Sequence, residues 1–261
     1  MGCRVGSITA GRLVGKVALI SGTGSGQGRA AAVRFAQEGA LVVGCDVNAA
    51  GNAETLDMVR ALGLDMTELS PLDPALPGGA TEWINRAVAL HGRIDVLYNN
   101  AGASRHGAIE SLSEEDWRFT MKNEIDIVFF PTQAAWPHLR HSHGVIISTG
   151  SVAGHLGIPT QTAHCAGKAA VSALARSFAA AGAPDGIRSF AISPGPIMVE
   201  GGKKFYADPA RVAAASASTL LGRMGEPAEV AGLACFLASD ESSYMTGVDI
   251  PVDAGEIIKW H

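Results

Sequence analysis

Seven short apolar runs alternate with longer stretches of helical period, and that alternation restricts the fold more than any single motif does. The runs are Val17–Ser21, Leu41–Cys45, Met66–Leu72, Ile94–Tyr98, Val145–Ser148, Arg188–Ile192 and Val248–Val252. Helical stretches fall between them near residues 26–38, 50–62, 79–91, 113–140, 162–182 and 226–238. Continuous apolar strands separated by helices imply a parallel sheet buried on both faces. Right-handed crossovers then make the fold α/β, with a doubly wound parallel sheet. No repeat, low-complexity tract or linker interrupts the pattern, so one domain over 13–261 is predicted. Residues 1–12 read as a flexible leader. An irregular segment at about 198–220 follows a strand's C-terminal end, where such sheets bind ligands, and reads as a lid over a substrate.

The bulk composition narrows the partners. Of 261 residues, 47% are hydrophobic and 17% charged, with a formal net charge of −5. That balance leaves no basic footprint for nucleic acid or an anionic membrane. No apolar stretch reaches the ~18 residues that span a bilayer. The N-terminus lacks a signal-peptide core, and Gly6 stands where myristoylation requires Ser or Thr. Cys3, Cys45, Cys165 and Cys235 show no C-x-x-C spacing. Cys45 and Cys235 read as core and Cys165 as a packing residue, which points to a reducing, cytoplasmic setting. His138, His141 and His143 superficially suggest a metal, but a helix end with charged neighbours reads better as a solvated terminus, and no metal is expected.

The first run leads into Ser21, Gly22, Thr23, Gly24, Ser25, Gly26, Gln27 and Gly28, then into a helical stretch. Glycines there let backbone approach a pyrophosphate, and the helix N-terminus supplies free N–H groups. Asp46 follows 18 residues after Gly28, at the end of the second strand. A carboxylate there accepts from a ribose diol and repels a 2′-phosphate, so NAD is the predicted cofactor. Neither Ser25 nor Val47 is a cation that would welcome that phosphate. The plain alternative is a tight turn followed by a surface aspartate.

A second constellation carries chemistry. Ser151 lies thirteen residues before His164, and Lys168 four after it. Positions i and i+4 share a helix face, so a hydroxyl, an imidazole and an ammonium converge. That is a proton-transfer set.

Taken together, these segments resemble the short-chain dehydrogenase/reductase family from about Leu13 to Gly255. Gly22-x-x-x-Gly26-x-Gly28 is similar to the family's glycine loop, with Ser21 for Thr and Gln27 for Ile. Leu72-Asp73 matches its adenine-contacting acid, and Asn99-Asn100-Ala101-Gly102 its Asn-Asn-Ala-Gly turn. Ser193-Pro194-Gly195-Pro196-Ile197 matches the loop that touches the carboxamide. Leu221 to Pro227 and Asp253 to Gly255 match its C-terminal signature. The resemblance implies a Rossmann-type fold and cofactor contacts from Gly22, Thr23, Ser25, Gly26, Gln27, Gly28, Asp46, Leu72, Asp73, Asn100, Ala101, Gly102, Lys168, Pro194, Gly195 and Ile197. It also implies pairing through helices 113–140 and 162–182 and the C-terminal tail, giving a homotetramer or homodimer.

Three positions depart from the family. His164 replaces its catalytic tyrosine. Imidazole is suited to neutral-pH proton transfer, and the cations Lys168 and NAD⁺ would favour its neutral, accepting form. Counting back five residues from Phe129 puts Glu124 where the family has asparagine. Asn123 is the neighbour, turned ~100° around a helix. Glu124 is preferred as the equivalent, pairing with Lys168 and relaying protons to His164; a purely stabilising salt bridge is the alternative. Val199 replaces a threonine that bonds the carboxamide. His106 and His155 follow strand ends and are candidates for the substrate pocket, with plain surface-loop positions as the equal alternative. A secondary alcohol and a ketone are the expected small-molecule partners, with a medium-sized cyclic or aromatic alcohol as the guess. Ser151 would position the oxygen, His164 act as acid/base, Lys168 hold the ribose and Glu124 complete the relay. Two competitors remain open: a lyase or isomerase using His164 and Glu124, and a catalytically silent NAD-binding sensor or partner subunit.

Overall fold

The structure is a computed structural model that describes residues 11–202 and 205–259. Seven strands form one sheet in the order β3-β2-β1-β4-β5-β6-β7. They are β1 (Val17–Ser21), β2 (Leu41–Cys45), β3 (Met66–Leu69), β4 (Val96–Asn99), β5 (Val145–Thr149), β6 (Arg188–Pro194) and β7 (Val248–Val252). Every adjacent pair is parallel. The helices are α1 (Gly26–Gln37), α2 (Ala49–Ala61), α3 (Pro77–His91), α4 (Glu114–Met121), α5 (Ile127–Ser142), α6 (Thr162–Gly182), α7 (Pro209–Ala217) and α8 (Pro227–Ala238). This is the doubly wound α/β fold the alternation predicts.

Burial explains why the runs read as apolar without alternation. All five residues of β1 are buried, because both faces of the sheet are covered. One core packs Ala18, Ile20, Phe35, Tyr98 and Val230 on one face. The other packs Leu19, Trp83, Leu97, Ile127 and Ile146 on the opposite face. Strand order reverses between β1 and β4. Connections from those two strands leave in opposite directions, so a crevice opens beyond their C-terminal ends.

Several boundaries differ from the sequence reading. The third run was expected to reach Leu72, but β3 ends at Leu69, and Pro71, with no N–H, cannot continue a ladder. The fourth starts at Val96, and β6 runs on to Pro194. The expected helix over 113–140 is α4 and α5 joined by a π-helical turn, Lys122–Asp126. Of the expected leader, residues 11 and 12 are described, and Arg12 is tied to the domain. Arg12 N donates to Glu38 Oε2 at 2.8 Å, Leu13 N donates to Glu38 O at 2.9 Å, and Leu13 is fully buried. Residues 1–10, including Cys3, lie outside the described residues. So do Lys203 and Lys204 of the lid and Trp260 and His261 of the tail. The expected lid carries a helix of its own: Asp208 caps Ala210 N, and Pro209 opens α7. No described helix is long and apolar enough to cross a membrane.

Candidate active site

A cleft of about 520 Å³ lies at the C-terminal ends of β1, β4, β5 and β6. At its outer end the chain turns through Gly22 (φ 75°) and Gly26 (φ 55°), a left-handed conformation that side chains other than glycine's seldom adopt. A Cβ on Gly22 would sit 2.9 Å from Ala101 Cα, so the turn packs against the loop after β4. Ser21 fastens that loop: its Oγ accepts from Asn100 N and Ala101 N, and its carbonyl from Asn100 Nδ2. No side chain caps α1 at Ser25, so its first N–H groups have no intrahelical partner. Gln27 adds a buried Oε1 with no hydrogen-bond partner. Uncapped N–H groups, an orphaned polar atom and a glycine cradle fit a pyrophosphate.

Asp46 lies beside the turn. Its Oδ2 accepts from Gly24 N and its Oδ1 from Asn48 N, each at 2.8 Å. Of the described residues lining the cleft, Lys168 is the one Lys or Arg. Arg29, on α1, is occupied by Glu54 at 2.9 Å and Glu200 at 3.1 Å. Asp73 accepts from Ala75 N and pairs with Lys122 at 2.9 Å.

Twelve of the sixteen expected cofactor positions line the cleft: Gly22, Ser25, Gly26, Gln27, Asp46, Asp73, Asn100, Ala101, Gly102, Lys168, Pro194 and Gly195. Thr23, Gly28, Leu72 and Ile197 do not. Thr23 is buried and donates to Asn52 Oδ1 at 2.6 Å. A Cβ on Gly28 would lie 2.0 Å from Gly22 O, so this glycine lets α1 close on the turn. Leu72 and Ile197 pack into the two cores, Ile197 also bridging Gly225. Among the lining residues the sequence reading missed are Pro74, Ile127, Thr149 and Gly150.

The inner end of the cleft gathers the expected catalytic set. Ser151, Glu124, His164 and Lys168 all line it. Ser151 Oγ accepts from Ala153 N at 3.1 Å, which leaves its own proton free to donate. Lys168 Nζ donates to Thr149 O at 2.8 Å and lies 2.5 Å from Glu124 Oε2. Glu124 Oε1 lies 2.9 Å from His164 Nδ1. An ionised carboxylate only accepts, so Nδ1 donates this bond, and in a neutral imidazole Nε2 then keeps the lone pair. Glu124 and Lys168 are 2% and 7% exposed, so this pairing takes place away from water. Burial pushes the Glu124 carboxyl up, but the Lys168 charge and the His164 hydrogen bond outweigh it, and the net shift is downward. Glu124 thus stands between Lys168 and His164, one carboxylate oxygen facing each.

Local structure explains why Glu124 reaches inward. The π-helical turn exposes both Asn123 and Glu124 to the cleft. Asn123 turns its amide back to Phe119 O at 2.9 Å, leaving Glu124 to meet α6. Gly167 makes room: a Cβ there would lie 2.8 Å from Glu124 Cβ. Sequence reasoning gave Gly167 no role. Its signal was a glycine inside an Ala-rich helix, one residue before the lysine.

The other histidines divide. His106 stands beside the site, its ring centroid 5.7 Å from that of His164 and its Nε2 2.9 Å from Ser104 Oγ. Neither His106 nor His155 is among the residues lining the cleft, and His155 is held elsewhere. Its Nε2 lies 2.9 Å from Asp249 Oδ2, in a network that also holds Ser172 and Ser193. His143 caps α5 in a left-handed conformation, with Nδ1 2.8 Å from Asp185 O. Val199 lines the cleft against Gly26.

Residues 22–256 match a family model described as enoyl-(acyl carrier protein) reductase. The 3-oxoacyl-(acyl-carrier-protein) reductase of Thermotoga maritima is 39% identical, over 95% of this chain and 100% of its own length. Meso-2,3-butanediol dehydrogenase of Serratia marcescens is 37% identical, over 94% and 95%. A crystal structure with bound NADP, of an Agrobacterium tumefaciens protein described as a 2-deoxy-D-gluconate 3-dehydrogenase, superposes with a TM-score of 0.87. It is 32% identical and covers 95% of this chain and 98% of its own.

Proposed function

The chain belongs to the short-chain dehydrogenase/reductase family, and on that premise we propose an NAD-dependent oxidoreductase that interconverts a secondary alcohol and a ketone, with His164 as its acid/base. The observation that carries this reading is the Glu124–His164 bond. It fixes the imidazole as the tautomer whose free Nε2 can accept a proton in the cleft. Ser151 donates its free hydroxyl proton to the substrate oxygen and positions it. Lys168, anchored by Thr149 O and Glu124, is left to hold the ribose. The turn at Gly22 and Gly26 with the start of α1 would hold the pyrophosphate, and Asp46 the adenosine ribose. When bound, NAD takes up or gives the hydride.

The neighbour with bound NADP makes cofactor choice the first thing to measure. NAD is the proposed partner because Asp46 stands beside the glycine turn and, among the described residues lining the cleft, the one Lys or Arg is Lys168, which pairs with Glu124. A 2′-phosphate facing that carboxylate meets a like charge, worth several kcal/mol when desolvated. Nicotinamide absorbance on a panel of secondary alcohols should rise with NAD and far less with NADP. Asp46→Ala should narrow the difference. Equal NADP use by the parent would refute the assignment, and product without nicotinamide turnover would point to a lyase or isomerase instead.

A homodimer or homotetramer fits the surface. Phe129 and Trp136 of α5 meet Phe178 of α6 along an apolar groove, and Tyr244 and Ile258 are exposed. Light scattering at micromolar concentration should give two or four chain masses; a single-chain mass would overturn the expectation. The thiols Cys45, Cys165 and Cys235 are free, which suits a reducing cytoplasm.

A further inference from the structure

Oxidising an alcohol leaves one proton on the base in every turnover, and that proton must leave before the next. The structure restricts how it leaves. On His164, Nδ1 is taken by Glu124. Behind it, Glu124 and Lys168 are 2% and 7% exposed, so the inner end offers little direct contact with solvent. The proton therefore leaves as it arrived, through Nε2, on the cleft side. Beside that ring lies a second imidazole, His106, a side chain suited to taking and releasing protons.

We propose that His106 carries protons between Nε2 of His164 and solvent. The proposal rests on reading His164 as the acid/base. Four observations support it. The two ring centroids are 5.7 Å apart and tilted by 48°, a separation that one bridging water can span. His106 is exposed, and Ser104, two residues before it, lines the cleft, so the residue stands between the site and solvent. Ser104 Oγ, 2.9 Å from His106 Nε2, holds the ring in place and can donate or accept as the tautomer changes. Finally, partial covering of the ring and the neighbouring His164 hold the His106 pKa below its ordinary value, so a proton that reaches it is readily released. The charged groups acting on it are His164 and, with the opposite sign, Glu124. Arg105, its chain neighbour, is occupied by Glu115 and Asp116.

The proton balance is complete. The substrate hydroxyl proton passes to His164 Nε2, then to a ring nitrogen of His106, while the proton on the far nitrogen of His106 goes to water or a buffer base. Rotation of the ring or a return transfer resets the tautomer. In the reducing direction the same steps run backwards.

His106→Phe keeps a planar ring but removes both exchangeable nitrogens. In dilute buffer of low basicity, this variant should lose about tenfold in kcat, with KM and the first-turnover hydride transfer unchanged. Added imidazole, at constant pH and ionic strength, should restore kcat in a saturable way and leave the parent unaffected. A variant as fast as the parent in dilute buffer would overturn the shuttle. So would a loss that no imidazole concentration restores. The second readout needs no turnover. Nitrogen-15 NMR of the His164 ring should show slower proton exchange with solvent in His106→Phe than in the parent, and equal rates would also overturn it. A parent that turns over no alcohol would defeat the oxidoreductase reading, while the exchange measurement would still decide whether His106 moves protons.

Discussion

Replacing His164 with alanine is expected to lower kcat/KM by about 10²–10⁴-fold, the usual worth of a positioned general base. Binding of NADH should be nearly unchanged, because the cofactor contacts proposed above fall to the glycine turn, Asp46 and Lys168 and not to His164. The pH profile gives a second signature. Only a neutral imidazole accepts a proton, so activity in the oxidising direction should fall in acid. A phenol in the same place must lose its proton to act as a base and would gain activity toward alkaline pH. His164→Tyr tests that contrast, and an alkaline shift would place the imidazole in the proton path. Steady-state rates across a pH series and NADH titration by fluorescence are the measurements. An alanine variant as active as the parent would remove His164 from the mechanism. A parent that binds NADH but turns over no alcohol or ketone would favour a silent sensor.

The features legible in the sequence were those whose cause is local. The strand, glycine turn and helix from Val17 to Gln37 follow from one apolar run, one tight turn and one helical period, and Asp46 follows from the next strand. His164 and Lys168 share a face because i and i+4 always do on a helix. The π-helical turn at Lys122–Asp126 was not legible. A one-residue change of helical register depends on what the helix packs against, and the residue that admits Glu124, Gly167, sits 43 positions away on α6. The setting of His155 was not legible either, for a similar reason. Its partner Asp249 is 94 residues distant, and spacing carries no trace of it. Thr23, Gly28, Leu72 and Ile197 belong to matching motifs, yet they support the cleft from behind. A motif tells which segment reaches a ligand and says less about which of its side chains do.

Glu124 carries the second large effect, on stability as well as on rate. Lys168 is 7% exposed and its charge is balanced by Glu124 at 2.5 Å. Glu124→Leu would leave that ammonium buried with only Thr149 O as a partner. Removing one member of a buried ion pair typically costs about 3–5 kcal/mol. For a domain of this size, each kcal/mol lowers Tm by about 2–4 °C, so a fall on the order of 10 °C is expected by calorimetry. Adding Lys168→Met should recover much of it, because the stranded charge goes too; equal Tm values for parent and Glu124→Leu would refute the pair's contribution. The pH dependence has a definite sign. The Glu124 carboxyl is held below its ordinary value in the folded state. Its contribution is therefore complete above the unfolded carboxylate range and is lost as pH falls through the folded value. The Tm gap between parent and variant should be widest at neutral pH and close in acid. Glu124→Gln separates stability from catalysis. Its amide can still bond both neighbours, but it can also donate to His164 Nδ1 and so move the ring proton to Nε2, the wrong tautomer for a base. That change should lower kcat by at least 10²-fold with a smaller loss of Tm. A glutamine variant with parental kcat would reduce Glu124 to a structural counterion of Lys168.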